Sequence, residues 1–427
     1  MGRPSSPPRV VFLESLHGIE SLFTAGLRAG AAANGVPYEV RFLRGPDLRR
    51  KDEAALRREL EAIRPDLVCF LYDAPLGWEN LWSGGGPLRE IPKASFWFDD
   101  FVRSPLTMER PDLWRRWQEE ERVSVFMHDG FWRGKWALHT GAAARPVDLA
   151  ADARLFPDLR DAGAPLYPEL DGHAVMLGTI PSAASFQDEL AAFPPVVRKW
   201  FGVVERALEV APWPFRPYEI AEEIIPHFTE KERLVLEKWR TEPGKRSLAA
   251  HQLWRRGKRA ARLRGLRALA QRVPVAVLSG HGREPFARGD ELREAIAPAH
   301  GFEFRDTTKV PDAQWGALFR SGAFQVQWVD PQSIESGAPF RMFEAAAGGV
   351  PLLADARPGF PALFAPDTEM LYASDEAALA ERAAALLAGP REDLRRIGEN
   401  ARAAFLARHT WAERWRQIER ALGLRDL

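Results

Sequence analysis

Residues 333–364 read SIESGAPFRMFEAAAGGVPLLADARPGFPALF. The stretch divides into a loop, a helix with Pro339 near its first turn, a Gly348-Gly349 stop and a buried strand, Val350–Ala354. A helix that enters from a loop and runs at once into an apolar strand is one step of a parallel α/β sheet. The helix start presents unpaired N–H groups and the positive end of the dipole, which suits a phosphate. Arg341 lies in the first turn, where its charge opposes the dipole, and a bound anion would offset that cost. Glu344 is one turn further in, placed to accept hydrogen bonds from a pair of sugar hydroxyls. Ala345-Ala346-Ala347 lets the helix approach its neighbours closely.

The same alternation of short apolar runs and longer helical text extends on both sides. Upstream, strands are expected at Arg9–Leu13, Tyr38–Leu43, Leu67–Tyr72, Ala94–Phe98, Val123–Met127 and Ala142–Val147, with helices at Glu20–Asn34, Lys51–Ile63 and Asp112–Arg122. From Asp148 to Gly172 the text mixes Asp, Ala, Pro and Gly without periodicity, as a domain linker does. A second series of strands follows at Ala174–Leu177, Val275–Leu278, Phe302–Arg305, Phe324–Trp328 and Val350–Ala354. The interval Ser185–Arg272 reads as helical, broken at Pro212, Pro214, Pro217, Pro226 and Pro243. Beyond Asp375 only helices are expected, ending with Trp411–Leu422. Two similar α/β halves facing each other would leave a cleft at the carboxyl ends of their strands.

The composition narrows the class. At 427 residues the chain exceeds one ordinary core, and 46% hydrophobic with 28% charged residues is the balance of a soluble globular protein. Lys+Arg and Asp+Glu both number 59, so no surplus of positive charge marks nucleic acid as the main partner. A single cysteine excludes an internal disulfide framework and a multi-cysteine metal site; Cys69, within Leu67–Tyr72, is expected to be a buried thiol. No apolar run approaches the roughly 20 residues that cross a bilayer. The start, MGRPSSPPRVVFLES, has too short an apolar stretch for a signal peptide, although it matches the loose Met-Gly-x-x-x-Ser myristoylation rule. A cytoplasmic location is expected.

The text Phe-Glu-Ala-x-Ala-x-Gly-x-Pro-Leu-Leu-x-Asp, running from Phe343 to Asp355, resembles the donor-site helix of GT-B glycosyltransferases, most closely the spore-maturation, CgeB-like group. The resemblance continues through Leu363-Phe364, Glu369–Tyr372, Glu376–Leu387, Ile397–Arg402 and the close His409-Thr410-Trp411-Ala412-Glu413-Arg414. Upstream it touches Val147–Phe156, Ala174–Ile180 and Trp315–Trp328, and it is strong over about the last 120 residues. It implies an α/β protein of two Rossmann-like domains in the GT-B arrangement. Residues 1–168 would bind the acceptor, 169–405 would bind the donor, and 406–427 would form a helix crossing back. It implies hexosyl transfer from a nucleotide-diphosphate sugar, such as a UDP-sugar, to a hydroxyl on a glycan, lipid-linked or protein acceptor. The donor would be a co-substrate, with no cofactor and no obligatory metal.

By the same analogy Glu344 would hold the donor ribose, and Arg341 with Ala338, Pro339 and Phe340 would face the diphosphate. The loop Gly280, His281, Gly282, Arg283 would be a second phosphate-facing element, and Asp306–Val310, including Lys309, would lie beside the base. Many retaining members carry a second glutamate eight positions before this one; here that position is Ser336, with Glu335 one residue off. After Gly178-Thr179 the family often has an arginine, whereas this chain has Ser185 and Gln187.

Each of these residues also has a plainer reading. Glu344 could be an exposed helix glutamate, Arg341 a surface ion pair, and Gly280-x-Gly282 an ordinary strand-to-helix turn. In the first half, His17 follows the first strand, where a near-neutral imidazole could deprotonate an acceptor hydroxyl or simply occupy a loop. His128-Asp129 ends a strand and is an alternative acid/base pair. Asp99-Asp100 ends another and suits an acceptor contact or a helix cap. The run Trp254–Arg272 carries eight basic residues opposite Leu263, Leu266 and Leu269. It fits either a weak peripheral contact with an anionic membrane or a solvated face whose leucines pack inward. Among the 15 tryptophans, Trp78, Trp82 and Trp97 are the candidates for sugar stacking. The alternatives to transfer are a non-catalytic GT-B-like nucleotide- or glycan-binding module and, through the basic run, a nucleic-acid binder.

Overall fold

The computed structural model describes residues 9–14, 18–35, 39–44, 53–72, 87–98, 101–120, 122–151, 155–156, 163–280, 285–328, 330–331 and 333–423. Two units emerge: Met1–Asp152 with His409–Leu427, and Ala153–Arg408. The first contains β1 (Arg9–Glu14), β2 (Glu39–Arg44), β3 (Leu67–Leu71), β4 (Lys93–Trp97), β5 (Val123–Met127) and β6 (Ala144–Pro146). They form one parallel sheet in the order β2-β1-β3-β4-β5-β6. The second unit has β7 (Ala174–Leu177), β8 (Val275–Ser279), β9 (Phe302–Asp306), β10 (Phe324–Gln327), β11 (Leu352–Asp355) and β12 (Leu371–Ala373). These are ordered β12-β11-β10-β7-β8-β9, again all parallel.

Parallel strands are covered on both faces by their crossover helices, which is why they read as unbroken apolar runs rather than alternating ones. Every residue of β3, β4, β7, β8, β10 and β11 is buried. The helices used below in the first unit are α1 (Gly18–Ala33), α2 (Glu53–Ile63), α3 (Pro111–Glu120) and α4 (Gly130–Thr140). Those of the second are α5 (Ala183–Ala191), α6 (Pro195–Val210), α7 (Pro217–Ile224), α8 (Glu230–Thr241), α9 (Lys245–Ala270), α10 (Gly289–Ile296), α11 (Trp315–Phe319), α12 (Phe340–Ala347), α13 (Glu376–Ala388) and α14 (Arg391–Arg408). Then α15 (Trp411–Leu422) returns to the first unit.

The return of α15 has identifiable fastenings. Thr410 caps the helix, accepting from Glu413 N, and forms a parallel bridge with Ala151. Asn34, just past α1, donates Nδ2–H to Ala412 O at 3.0 Å. Buried Arg414 donates Nε–H to Leu149 O at 2.8 Å, and its Nη2 lies 2.8 Å from His409 Nδ1. His409 and Arg414 of the closing sequence text are therefore structural clamps.

The segment between β7 and β8 is long because it carries five helices, α5–α9. They share one core with the sheet, built from residues such as Leu190, Val197, Trp200, Phe201, Val204, Leu253 and Leu266. The 26-residue α9 runs through this core, and its basic residues turn to carboxylates of the same unit. Arg255 pairs with Glu189, Arg256 with Glu205 at 2.7 Å, Arg259 with Glu291 at 2.9 Å, Arg264 with Glu376 at 2.6 Å and Arg267 with Glu209 at 2.6 Å. Burial pushes the guanidinium of Arg256 below its ordinary range, with Glu205 opposing the shift. Of the two readings of the 254–272 run, the inward packing of its leucines holds, whereas the polar side is not simply a solvated face. Leu263, Leu266 and Leu269 face the core, while the cations named above pair with carboxylates of their own unit; Arg272 is exposed. Among the described residues, no helix is long and apolar enough to cross a membrane.

Candidate functional site

In the second sheet the strand order reverses between β7 and β10: the chain builds β8 and β9 to one side and β10, β11 and β12 to the other. Such a reversal leaves a crevice outside the carboxyl ends of the two central strands, because their connections leave in opposite directions. Gly178-Thr179 follow β7, Gly280 follows β8, Trp328 and Asp330 follow β10, and the 333–339 segment leads into α12.

Arg262 of α9 reaches this crevice. It donates to Thr179 O and lies 2.8 Å from Asp330, so one guanidinium joins the segments after both central strands. A Cβ built on Gly178 would stand 3.0 Å from Arg262 Nη1. Lys258, one turn earlier, lies 3.7 Å from the same Asp330. Sequence reading did not single out Arg262, whose partners are 83 and 68 positions away; its one signal was the periodicity of the basic run. A helix thus brings a cation beside Gly178-Thr179.

The second group belongs to α12. Glu344 accepts from Trp315 Nε1 at 3.1 Å through one oxygen and from Arg341 Nη1 at 3.2 Å through the other. The Arg341 guanidinium lies over the rings of Trp315, at 5.0 Å, and Phe319, at 5.7 Å. Burial lowers the guanidinium from its ordinary value; Glu344 opposes the shift and Arg262 adds to it. Arg341 thus feels the charges of Arg262 and Asp330 as well as that of Glu344. Glu344 and Arg341 are thus brought together as an i,i+3 pair, largely shielded at 14% and 22% side-chain exposure. Trp315, from α11, is a partner of Glu344 that no local pattern points to, since the two are 29 positions apart.

The approach to α12 is tied down by backbone. Ala338 N donates to Ser336 O at 2.8 Å, and Gly359 N to Glu335 O at 2.7 Å. Pro339 is the N-cap and contributes no side-chain acceptor; Phe340 begins the helix. Ser336 is half-buried against Gly359, and Glu335 points outward, exposed. Behind α12 stands α14. Arg402 donates to Ala347 O, the end of α12, and to Phe156 O at 3.2 Å. Gly398 lies against the Gly348-Gly349 turn, where a Cβ would fall 2.1 Å from Gly349 O.

The remaining candidates are dispersed. Gly280 is fixed by backbone proximity, since a Cβ there would sit 2.3 Å from Thr308 N; His281, Gly282 and Arg283 lie outside the described residues. Asp306 ends β9 and closes a turn on itself, its Oδ1 accepting from Thr308 N at 2.9 Å and from the Thr308 hydroxyl. Those hydrogen bonds hold its carboxyl below the ordinary range. Lys309 is exposed and Val310 half-buried.

In the first unit His128 is buried after β5, its ring edge-on to Phe98 at 6.1 Å. Asp129 caps α4: Oδ1 accepts from Phe131 N at 2.9 Å and Trp132 N at 3.4 Å, which commits that oxygen to the helix start. His17 and Asp99, with Trp78 and Trp82, lie outside the described residues. Trp97 is no stacking platform: it is enclosed, donates to Ser95 Oγ at 2.8 Å and packs against Trp114 and Trp136.

A family model described as glycosyl transferase-like matches residues 262–420, which contain Arg262, the whole of α12 and the α14 buttress. No curated protein matches the chain in sequence. Among solved structures, a glycosyltransferase from Rickettsia africae aligns with a TM-score of 0.55 at 10% identity, covering 97% of this chain and 98% of that one. Sucrose-phosphate synthase from Thermosynechococcus elongatus aligns with a TM-score of 0.53 at 12% identity, covering 97% and 98%. The Anabaena protein HepE, solved with UDP-glucose, aligns with a TM-score of 0.52 at 11% identity, covering 97% and 99%. At these identities the likeness establishes the fold, which is the two-domain α/β architecture of GT-B glycosyltransferases.

Proposed function

We propose that the protein is a glycosyltransferase that moves a sugar, a hexose in the first instance, from a nucleotide-diphosphate donor to a hydroxyl acceptor in the cytoplasm. The observation that carries this reading is that two shielded guanidinium groups follow the strands where the order reverses in the second sheet: Arg262, paired with Asp330 after β10, and Arg341, paired with Glu344 on α12. Departure of a nucleoside diphosphate develops negative charge, and preorganised guanidinium groups in a shielded site stabilise it without a metal from the protein. Glu344 would bind the ribose, while the Asp306–Val310 turn would flank the base. The second unit would hold the donor and the first the acceptor, a hydroxyl on a glycan, lipid-linked or protein molecule. The closing text His409–Arg414 supports a place beside the CgeB-like group.

The donor is tested by calorimetric titration with UDP-, GDP- and dTDP-sugars, with transfer and hydrolysis assayed in parallel. A UDP-sugar is the first choice, since HepE was solved with one. A second reading, a module that binds the nucleotide without turnover, is favoured by Ser336 at the position where the resemblance calls for a carboxylate. Tight binding with neither transfer nor hydrolysis for any donor would select the module; binding of none would defeat both readings.

Two substitutions probe the donor contacts. Glu344→Gln is expected to weaken donor binding at least several-fold, by removing the charge-assisted acceptor and releasing Arg341. An unchanged Kd would remove the ribose assignment. Trp315→Phe keeps the ring under Arg341 but deletes the N–H that aims Glu344. It is expected to weaken the donor by about two- to fivefold, the scale of one hydrogen bond, and to raise KM more than it lowers kcat.

A further inference from the structure

Asp330 is a carboxylate in a place where the proposed ligand is an anion. Its side chain is 17% exposed and faces two cations from one side of α9, Arg262 at 2.8 Å and Lys258 at 3.7 Å. Arg262 does not depend on Asp330 for its position: it also donates to Thr179 O and lies against Gly178. The carboxylate, by contrast, is held by charge rather than by aligned hydrogen bonding, since its Oδ1 receives no well-directed hydrogen bond despite the short separation. The group around Asp330 therefore sets two cations, Lys258 and Arg262, against one carboxylate. Without Asp330 the excess would rise from one positive charge to two.

We propose that Asp330 is a built-in counter-ion that occupies Arg262 and Lys258 in the empty site and is displaced by the diphosphate of the ligand. The proposal rests on the crevice being the diphosphate site described above. Its physical logic is a trade between two states. Two shielded cations side by side repel each other, so an internal carboxylate between them stabilises the protein without ligand. The same carboxylate competes with any incoming anion and lowers its affinity. A positioning role for Asp330, holding Arg262 in place for the ligand, predicts the opposite sign.

The test is titration of the full chain with inorganic pyrophosphate, comparing wild type with Asp330→Asn and Asp330→Glu. Asp330→Asn is expected to bind pyrophosphate about five- to tenfold more tightly and to melt at a lower temperature when empty. Asp330→Glu, which keeps the charge, is expected to bind as wild type does. Equal or weaker binding by Asp330→Asn overturns the proposal. So does an equal gain in Asp330→Glu, or no pyrophosphate binding by either wild type or Asp330→Asn. Should Asp330→Asn fail to fold, a structure of wild type with pyrophosphate decides: Asp330 must have left Arg262, and an intact pair overturns the displacement. UDP-sugars that bind no better than pyrophosphate would sink the nucleotide reading while leaving this result standing.

Discussion

Gly398→Ala should destabilise the second unit by about 3 kcal/mol or more, against the usual expectation for a helix interior. Replacing glycine by alanine in a helix ordinarily stabilises by roughly 0.5–1 kcal/mol, because it restricts the unfolded chain. Here the added methyl would meet Gly349 O at 2.1 Å and Gly349 C at 2.8 Å. Both obstacles are backbone, in the turn that joins α12 to β11, so no side chain can swing aside. Overpacking of a fixed core typically costs 1–3 kcal/mol and occasionally more, and the rigid partner puts this site at the upper end. Because α14 also holds the end of α12 through Arg402, a displaced α14 would carry Glu344 and Arg341 with it. Urea denaturation followed alongside donor titration should show both losses. A variant as stable as wild type would overturn the tight seat of Gly398 on the Gly349 backbone.

Arg414→Met should cost the first unit about 2–4 kcal/mol, the range for removing one member of a buried, hydrogen-bonded charged group. Methionine fills a similar space, so the loss reports polar contacts rather than a cavity. Leu149 O would lose its donor at 2.8 Å, and His409 would lose its ring-nitrogen partner. Burial already lowers the Arg414 guanidinium from its ordinary range, with Asp148 and Glu413 opposing. Removing the cation therefore recovers some desolvation, which keeps the cost below the extreme. Arg414→Lys should rescue little, since an ammonium on a flexible stem cannot reproduce the forked contact. Thermal unfolding with a probe specific to the first unit checks the effect. An unchanged transition would show that the closing motif does not fasten α15.

What the sequence made legible follows the range of the interactions concerned. Buried parallel strands announce themselves through local apolar runs, and Val123–Met127 and Ala174–Leu177 coincide with β5 and β7. The three-residue β12 was not anticipated, because Leu371–Ala373 is too short to display a period. Helix α4 was missed too: Phe131, Trp132 and Trp136 interrupt any clean polar face. The start of the supposed linker at Asp148 proved to be packed, with Leu149, Ala150 and Ala151 buried. Small residues there serve a bridge to Thr410, a contact no local pattern encodes.

The candidate site divides along the same line. Arg341 and Glu344 are three residues apart on one helix, so their meeting could be foreseen. Arg262 could not be assigned, because the helix that carries it is basic at many positions. Which cation serves the core and which the crevice depends on carboxylates from α5, α6, α10, α13 and the segment after β10. Trp315 likewise lies 29 residues from the carboxylate it orients.

The return of α15 to the first unit has a consequence for how the protein is made. The opening 152 residues leave the ribosome without the helix that completes their unit, and residues 153–408 must be synthesised before it appears. At ordinary elongation rates that delay is roughly 13–50 s. During this interval Leu149 O and the bridging edge at Ala151 have no Arg414 or Thr410 to meet, while the second unit can fold as a continuous stretch of chain. Order of synthesis and order of completion are therefore inverted: the unit begun first is the one finished last.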